Sequence, residues 1–484
     1  MNLPQPRDPP VSPLAAKAHQ SAPPSKAVVA PRGGVWHVEV CLKPTSSLSV
    51  TSGVQMSRAF LAQMADTLDS LRPLPAPGHS CRLQADFPEG SDIQRHVAFM
   101  DIVQDTVGPQ GVNGLDPVGV CPVWATLNWA TDPRIRVHVF KLDVHGSQTE
   151  DIDEEGTVHA ALSWILPSSD IDGQWESLVF DSNIKSALLD YVQMAMLLSE
   201  RGVDPNRVSW NRVVFLHGPP GTGKTSLCQA LAHKLAIRLN DQYQYGQLFE
   251  VNSHSLFSKW FSESGNLVQR MFETIRSIAD DPTVLVCVMI DEVESLAATR
   301  KAGGNEPTDA LRVVNALLTQ IDQIKRLPNV LILTTSNVSG AIDLAFVDRA
   351  DFKKYIGPPS TRALYQILLS SVEELMRVRI LQSHPLLSLN ALENTNLSLP
   401  SDSNCLSYAL FKAAQKANGL SGRILKKLPL LALIKMTPTS DGASLSEFIE
   451  CLTQVVDEEI SDRNALRSGN GPPGTLNNPD KTTY

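Results

Sequence analysis

Phe215-Leu216-His217-Gly218-Pro219-Pro220-Gly221-Thr222-Gly223-Lys224-Thr225-Ser226-Leu227 is the stretch that decides the fold of this 484-residue chain. Val213–Leu216 is a short, apolar run and reads as a buried strand. Gly218 to Thr225 then fills every position of G-x-x-x-x-G-K-[ST], the phosphate-binding loop. Gly221 and Gly223 supply the backbone freedom that a wrapping loop needs. The loop N–H groups point inward as an anion nest. The helix that follows, read as Leu227–Leu239, adds partial positive charge at the same spot. Lys224 brings a mobile full charge to the β- and γ-phosphates, and Thr225 offers its hydroxyl to Mg²⁺. The competing reading is a plain Gly/Pro turn; the filled motif between a strand and a helix speaks against it.

The composition, 42% hydrophobic and 19% charged, is that of an ordinary globular protein. A net charge of -9 argues against a general nucleic-acid binder, which carries a basic face. The seven cysteines are scattered, odd in number and never spaced as C-x-x-C, so neither a disulfide framework nor a zinc site is expected. Cys228 and Cys287 read as small core residues. The N-terminus lacks the apolar stretch of a signal peptide, and no run approaches the ~20 apolar residues of a membrane span. An intracellular, soluble protein is the expectation.

Residues 1–33 hold eight of the 33 prolines and read as a disordered tail, as does 468–484. Trp36–Leu42 alternates with period two and predicts a half-buried strand. Met56, Phe60, Leu61, Met64, Leu68 and Leu71 recur at helical spacing, and Ile135, Val137 and Val139 alternate again. Residues 34–148 are thus a small mixed α/β domain, with His96 and His138 expected on strand surfaces. The acidic run Glu150–Glu155 makes 149–160 a solvated linker. Over 161–357, the strand-like runs Val213–Leu216, Leu248–Val251, Val284–Ile290 and Val330–Leu333 alternate with helices, which predicts a parallel sheet covered on both faces. Residues 358–467, after Pro358-Pro359, turn helical. Pro429 lies inside an apolar helical pattern there and predicts a kink or break.

Val284–Ile290 is apolar throughout, so it is a central strand, and it ends in Asp291-Glu292. A carboxylate at that strand end, beside a phosphate loop, holds Mg²⁺; the adjacent one orients and deprotonates an attacking water. An acidic helix cap is the alternative. Asn337, at the tip of another strand, suits the γ-phosphate or the attacking water, and equally a turn. Lys259-Trp260-Phe261 sets two large aromatics beside a Lys in a Ser/Gly-flanked stretch. Aromatics grip an extended chain without reading its sequence; an adjacent Trp-Phe pair is also ordinary core.

Gly218–Thr225, Asp291-Glu292 and Asn337 in this order resemble a AAA+ ATPase. More narrowly, Ser253–Gly265, Ile290–Leu296, Ala345–Asp351, Tyr355–Ser360 and Gly419–Arg423 resemble the pachytene checkpoint protein family, also called thyroid receptor-interacting protein 13. The likeness is strong over 160–435, weaker over 34–150 and absent from the tails. It implies a AAA+ α/β core with a C-terminal helical lid, and a homo-hexameric ring that binds ATP and Mg²⁺. It further implies partial unfolding of HORMA-domain proteins, presented by an adaptor of the comet type, in spindle-checkpoint control and in meiotic recombination and chromosome-axis organisation. The N-terminal domain would recognise substrate or adaptor. The setting would be nucleus and cytoplasm, at chromosomes or kinetochores, with neither membrane nor direct nucleic-acid contact.

By that resemblance Lys224 binds phosphate, Thr225 and Asp291 hold Mg²⁺, Glu292 activates water and Asn337 is the sensor. Arg423 is a second sensor reaching in from the lid, with an exposed helix start as its other reading. Trp260 and Phe261 become a pore loop; Gly303–Pro307 is a second pore loop or a surface turn. Many AAA+ proteins carry Arg-Pro-Gly-Arg after the sensor strand, but here the stretch is Asp348-Arg349-Ala350-Asp351. Arg349 either reaches the neighbouring subunit as an arginine finger or pairs with Asp348 or Asp351. The rival functions are a nucleotide-switched scaffold with little hydrolysis and a loader acting on DNA; the acidic balance disfavours the latter.

Overall fold

The computed structural model describes residues 35–71, 80–83, 87, 91–104, 135–151, 159–204, 206–252, 264–294, 307–337, 344–394, 402–436 and 443–468. The expected tails at 1–33 and 468–484, the pair Trp260 and Phe261, and the stretch Gly303–Pro307 lie outside those residues, except that Ser468 and Pro307 are the last and first residues of helices.

The N-terminal domain is a sheet of β1 (Trp36–Leu42), β2 (Ser80–Leu83), β3 (Val97–Gln104) and β4 (Ile135–Lys141) in the order β2-β3-β1-β4. Only the β1–β4 pair is parallel. Helices α1 (Val50–Leu71) and α2 (Asp92–His96) complete it, the latter capped by Ser91. Alternation predicts one solvent face for β1, yet all seven residues are buried. Trp36, Val38, Val40 and Leu42 pack in the domain core with Phe60, Leu61 and Met100. The opposite face, His37, Glu39 and Cys41, is covered by the C-terminal part of the chain.

That cover is α5 (Lys224–Arg238), the helix that leaves the phosphate loop. Between the two came α3 (Gln174–Ser177) and α4 (Ile184–Glu200). Glu39 accepts hydrogen bonds from Lys234 Nζ and, at 3.1 Å, from Arg238 Nε. Lys234 also donates to Glu176 at 2.9 Å. Cys41, Phe99, Phe140 and Ile237 form an apolar cluster beside these charges. Arg82 spans the same junction, donating to Asp101 at 2.8 and 3.0 Å and to Asp172 at 3.2 Å. His138 is not a surface residue: it is buried and stacked on His37, with Nδ1 of His37 2.9 Å from its Nε2. Burial, with His37 alongside, pushes the His138 imidazole down to about 3, so it is neutral. His96 lies at the end of α2 and bonds Ser46.

The second sheet has the order β11-β7-β10-β9-β8-β6-β5. Its five parallel strands are β7 (Val213–His217), β8 (Tyr245–Asn252), β9 (Val284–Asp291), β10 (Val330–Ser336) and β11 (Phe352–Tyr355). β6 (His159–Leu166) runs antiparallel to β8, and β5 (Gln148–Asp151) antiparallel to β6. The expected acidic linker over 149–160 is corrected here: Gln148–Asp151 is an edge strand, and 152–158 lie outside the described residues. Charged side chains are compatible with an edge that has water on one side. The continuous apolar run of β9 divides by alternation. Val284, Val286, Val288 and Ile290 face α6 (Ser264–Ala279) and α7 (Pro307–Ile324). Leu285, Cys287 and Met289 face α4 and α5, where Cys228 also lies. Both cysteines are core residues, as their pattern predicts.

The short α8 (Leu344–Arg349) leads to β11, after which the chain is helical. The lid comprises α9 (Thr361–Arg377), α10 (Leu389–Asn394), α11 (Asp402–Lys416), α12 (Gly422–Leu425), α13 (Leu428–Lys435) and α14 (Leu445–Ser468), closed around its own core. The break expected near Pro429 is the gap between α12 and α13; Pro429 sits in the first turn of α13, where a missing N–H costs nothing.

Replacing Glu39 with Gln leaves Lys234 and Arg238 buried with one carboxylate fewer, which is expected to lower the unfolding free energy by ~3–5 kcal/mol. Burial would raise the Glu39 carboxyl, but Lys234 and Arg238 hold it at about 2, below the ordinary 4.5. Its contribution is therefore complete above pH 4.5 and fades as the pH falls toward 2. Urea unfolding of wild type and Glu39→Gln should converge across that window; curves that stay parallel would show that Glu39 does not carry the junction.

Candidate active site

The phosphate loop springs from the C-terminal end of β7, and its bends need glycine. Gly218, Gly221 and Gly223 have φ of 145°, 77° and 92°. A Cβ on Gly218 would stand 2.0 Å from the Ile356 carbonyl oxygen, so no side chain fits there. Gly218 N–H donates to Ser336 O at 3.1 Å, tying the loop to β10. Thr222 Oγ1 donates to Pro219 O at 3.0 Å. Lys224 Nζ lies within the curl, donating to the carbonyls of Gly218 (2.9 Å) and Pro219 (2.8 Å). Burial holds the Lys224 ammonium below its usual value, against the opposing fields of Glu294, Asp291 and Glu292 and with that of Arg423.

Next to the loop, Thr225 Oγ1 donates to Asp291 Oδ1 and Oδ2 at 3.0 and 3.1 Å, and Thr335 Oγ1 donates to the same carboxylate. Hard oxygen donors gathered at a phosphate loop fit Mg²⁺, a cation that takes few protein ligands beside phosphate oxygens. Glu292 has φ 54°, a left-handed conformation that is rare outside glycine. It turns the chain sharply, and Glu292 N–H and Val293 N–H donate to Thr335 Oγ1 (3.2 Å) and Thr335 O (3.0 Å). Asn337 Nδ2 then donates to Glu292 Oε1 at 2.9 Å. The sensor and the water-activating carboxylate expected from the sequence thus stand side by side.

Arg423 lies in α12 of the lid, exposed, with its backbone N–H 3.3 Å from Gly221 O. Arg349 is held in a fork by Asp322 of α7, at 3.1 and 2.6 Å. Asp351, one of the two alternative partners expected for Arg349, accepts from Asn211 N and Nδ2. Asp322 lies a helix away in sequence, so nothing near Arg349 signals it.

Between loop and lid runs a cleft lined by Val179, Phe180, Thr222, Ile356, Pro358 and Gly422, among others. Its apolar walls and exposed backbone suit a planar base, continuous with the phosphate loop. Thr222, Ile356, Pro358 and Gly422 lie in stretches that the sequence already marks, but nothing in the pattern assigns them to a base cleft, and Val179 and Phe180 carry no signal of their own. Glu294, four positions into the Asp291 turn, is a further acidic group at the site; its only sequence signal is membership of the Asp-Glu-Val-Glu run.

Residues 214–358 match the family described as ATPase family associated with various cellular activities (AAA), and residues 360–460 match a TRIP13-like AAA+ ATPase lid C-terminal domain. The chain is 53% identical over 336 residues to the pachytene checkpoint protein 2 homolog of Gallus gallus, which spans 69% of this chain and 77% of that protein. The Homo sapiens homolog is 52% identical over 338 residues, again 69% of this chain and 77% of that protein. The solved structure of C. elegans PCH-2 superimposes with a TM-score of 0.67 at 35% identity, covering 88% of this chain and 99% of the other. A filled phosphate loop, a carboxylate pair at the end of β9 and a lid of this type, matched at this length, make the chain a member of the pachytene checkpoint protein 2 family of AAA ATPases.

Proposed function

We propose that this ATPase assembles as a homo-hexameric ring and spends the hydrolysis of ATP on partly unfolding HORMA-domain proteins, presented by a comet-type adaptor. The work belongs to spindle-checkpoint control and to meiotic recombination and chromosome-axis organisation, in nucleus and cytoplasm. Family membership supports the client class. The observation that carries the enzymatic half is the Asn337–Glu292 contact beside Thr225 and Asp291.

In this reading Lys224 and the loop N–H groups hold the phosphates, and the cleft takes the base. Thr225 and Asp291 hold Mg²⁺, which when bound neutralises charge on the phosphate oxygens. Glu292 takes the proton of the attacking water, and the Asn337 amide fixes the direction of that carboxylate. Arg423 senses the nucleotide from the lid. Arg349 reaches the neighbouring subunit once Asp322 releases it. Trp260 and Phe261 grip the client chain. A domain resists unfolding by ~5–15 kcal/mol, which repeated ATP-driven steps can overcome. A nucleotide-switched scaffold would have no use for an aligned Glu292, and the Asn337 contact counts against it.

Glu292→Gln keeps the shape of the site and removes the base. Phosphate release is expected to fall by about 10²–10⁴-fold while binding of a fluorescent ATP analogue persists; retained turnover would remove Glu292 from the reaction. Trp260→Ala, assayed as conversion of a purified HORMA client by the full chain with adaptor and ATP, is expected to abolish conversion and leave hydrolysis in place. Unaffected conversion would overturn the pore grip.

A further inference from the structure

The Asp291-Glu292-Val293-Glu294 turn carries a third carboxylate that the reaction above does not use. β10 pairs with β9 as far as Thr334 and with β7 as far as Ser336. Asn337 is therefore the first residue past both ladders, and its N–H has no strand partner to set its direction. Glu294 supplies one: Asn337 N–H donates to Glu294 Oε1 at 2.8 Å. The same turn thus meets Asn337 twice, Glu294 at the backbone and Glu292 at the amide, 2.9 Å from Nδ2. The left-handed Glu292 makes this possible by returning the chain against β10. The other Glu294 oxygen, Oε2, is buried without a hydrogen-bond partner. A buried oxygen in that state is costly unless positive charge lies nearby. Of the carboxylate fields acting on Lys224, that of Glu294 is the largest.

We propose that Glu294 is a positioning residue for hydrolysis: it fixes the backbone at Asn337, so that the Asn337 amide stays aimed at the Glu292 carboxylate. It touches neither water nor phosphate and acts through Asn337. This deepens the reading above and rests on it, since Asn337 must matter to turnover for Glu294 to matter through it. The bond needs an acceptor at the position of Oε1 and no charge. A glutamine there still presents a carbonyl oxygen to the Asn337 N–H, and an alanine presents nothing.

The test is steady-state ATP hydrolysis by the full chain, with binding of a fluorescent ATP analogue and melting temperature measured on the same samples. Glu294→Ala is expected to lower kcat by about 10–100-fold, the usual loss for a partner that orients a group at a metal-dependent site. ATP binding should stay within about threefold of wild type, since the contact is spent on the reacting geometry. Glu294→Gln is expected to recover most of the lost kcat. Glu294→Ala in an Asn337→Ala background should add little to the loss from Asn337→Ala alone, because both changes remove one alignment. A brace that merely stabilised the fold would lower the melting temperature without this non-additivity. Glu294→Gln as poor as Glu294→Ala, two losses that multiply, or ATP binding that falls with kcat would each overturn the proposal. Should Glu294→Ala fail to fold, Glu294→Ser, which likewise leaves no acceptor at the position of Oε1, takes its place with and without Asn337→Ala, and the same outcomes decide it. An inactive Asn337→Ala beside a fully active Glu294→Ala sinks this proposal alone; a fully active Asn337→Ala sinks the sensor reading beneath it.

Discussion

Glu39 wedged between Lys234 and Arg238 is the contact on which the arrangement of the two domains depends. Both cations stand at the C-terminal end of α5, and the N-terminal end of that helix is the phosphate loop. Fifteen residues of helix are about 22 Å long, so one rigid rod joins the nucleotide site to the N-terminal domain. Attraction comes from the apolar cluster of Cys41, Phe99, Phe140 and Ile237. The charges contribute little net attraction once their lost hydration is counted. They contribute register instead: a sheet shifted by two residues would present His37 or Cys41 to the two cations, and β1 would bury an unpaired charge.

At the other end of the rod, strand order does what local sequence cannot. The chain lays down β7, β8, β9 and β10 in turn, yet β10 inserts between β7 and β9. Thr335 and Asn337 thereby come to lie between the phosphate loop and Asp291-Glu292. This is the crevice at the carboxyl ends of parallel strands where α/β proteins bind ligands. Thr335 serves both sides, donating to Asp291 and accepting from Glu292 N–H. The left-handed Glu292 costs on the order of 1–3 kcal/mol, and its bonds to Thr335 hold it in place.

Where the sequence is legible, a single stretch contains its own physical reason. Gly218–Thr225 is readable because each position meets a backbone or charge requirement of the loop. Val284–Ile290 is readable because only a strand covered on both faces tolerates such a run. Pro429 announces a helix boundary through its ring. The unread features depend on partners distant in the chain. Glu39 looks like the wet side of an amphipathic strand until Lys234 and Arg238 are folded against it. The acidity of Gln148–Asp151 conceals an edge strand, because the β6 pairing that satisfies its backbone leaves no mark in its side chains. Phe352–Tyr355 is too short and too polar to declare itself. The base cleft is assembled from short stretches far apart in the chain, around Phe180, Thr222, Ile356 and Gly422, and none of them declares the others.

The lid and the loop are joined more closely than a hinge at Pro358-Pro359 suggests. Ser360 caps α9 and is itself gripped by Asp181, whose neighbours Val179 and Phe180 line the base cleft. On the far side of that cleft, Arg423 N–H meets Gly221 O, and a Cβ on Gly221 would collide with Ser421 Oγ at 2.8 Å. The lid therefore touches the nucleotide site at two points, one beside the base and one on the phosphate loop. A group pressing on both walls of the cleft acts on the lid as one body, because the packed core of α9 and its neighbours resists deformation. Occupancy of the cleft and placement of the lid are then one geometric variable, and the glycine at position 221 is what lets the two surfaces approach closely enough to share it.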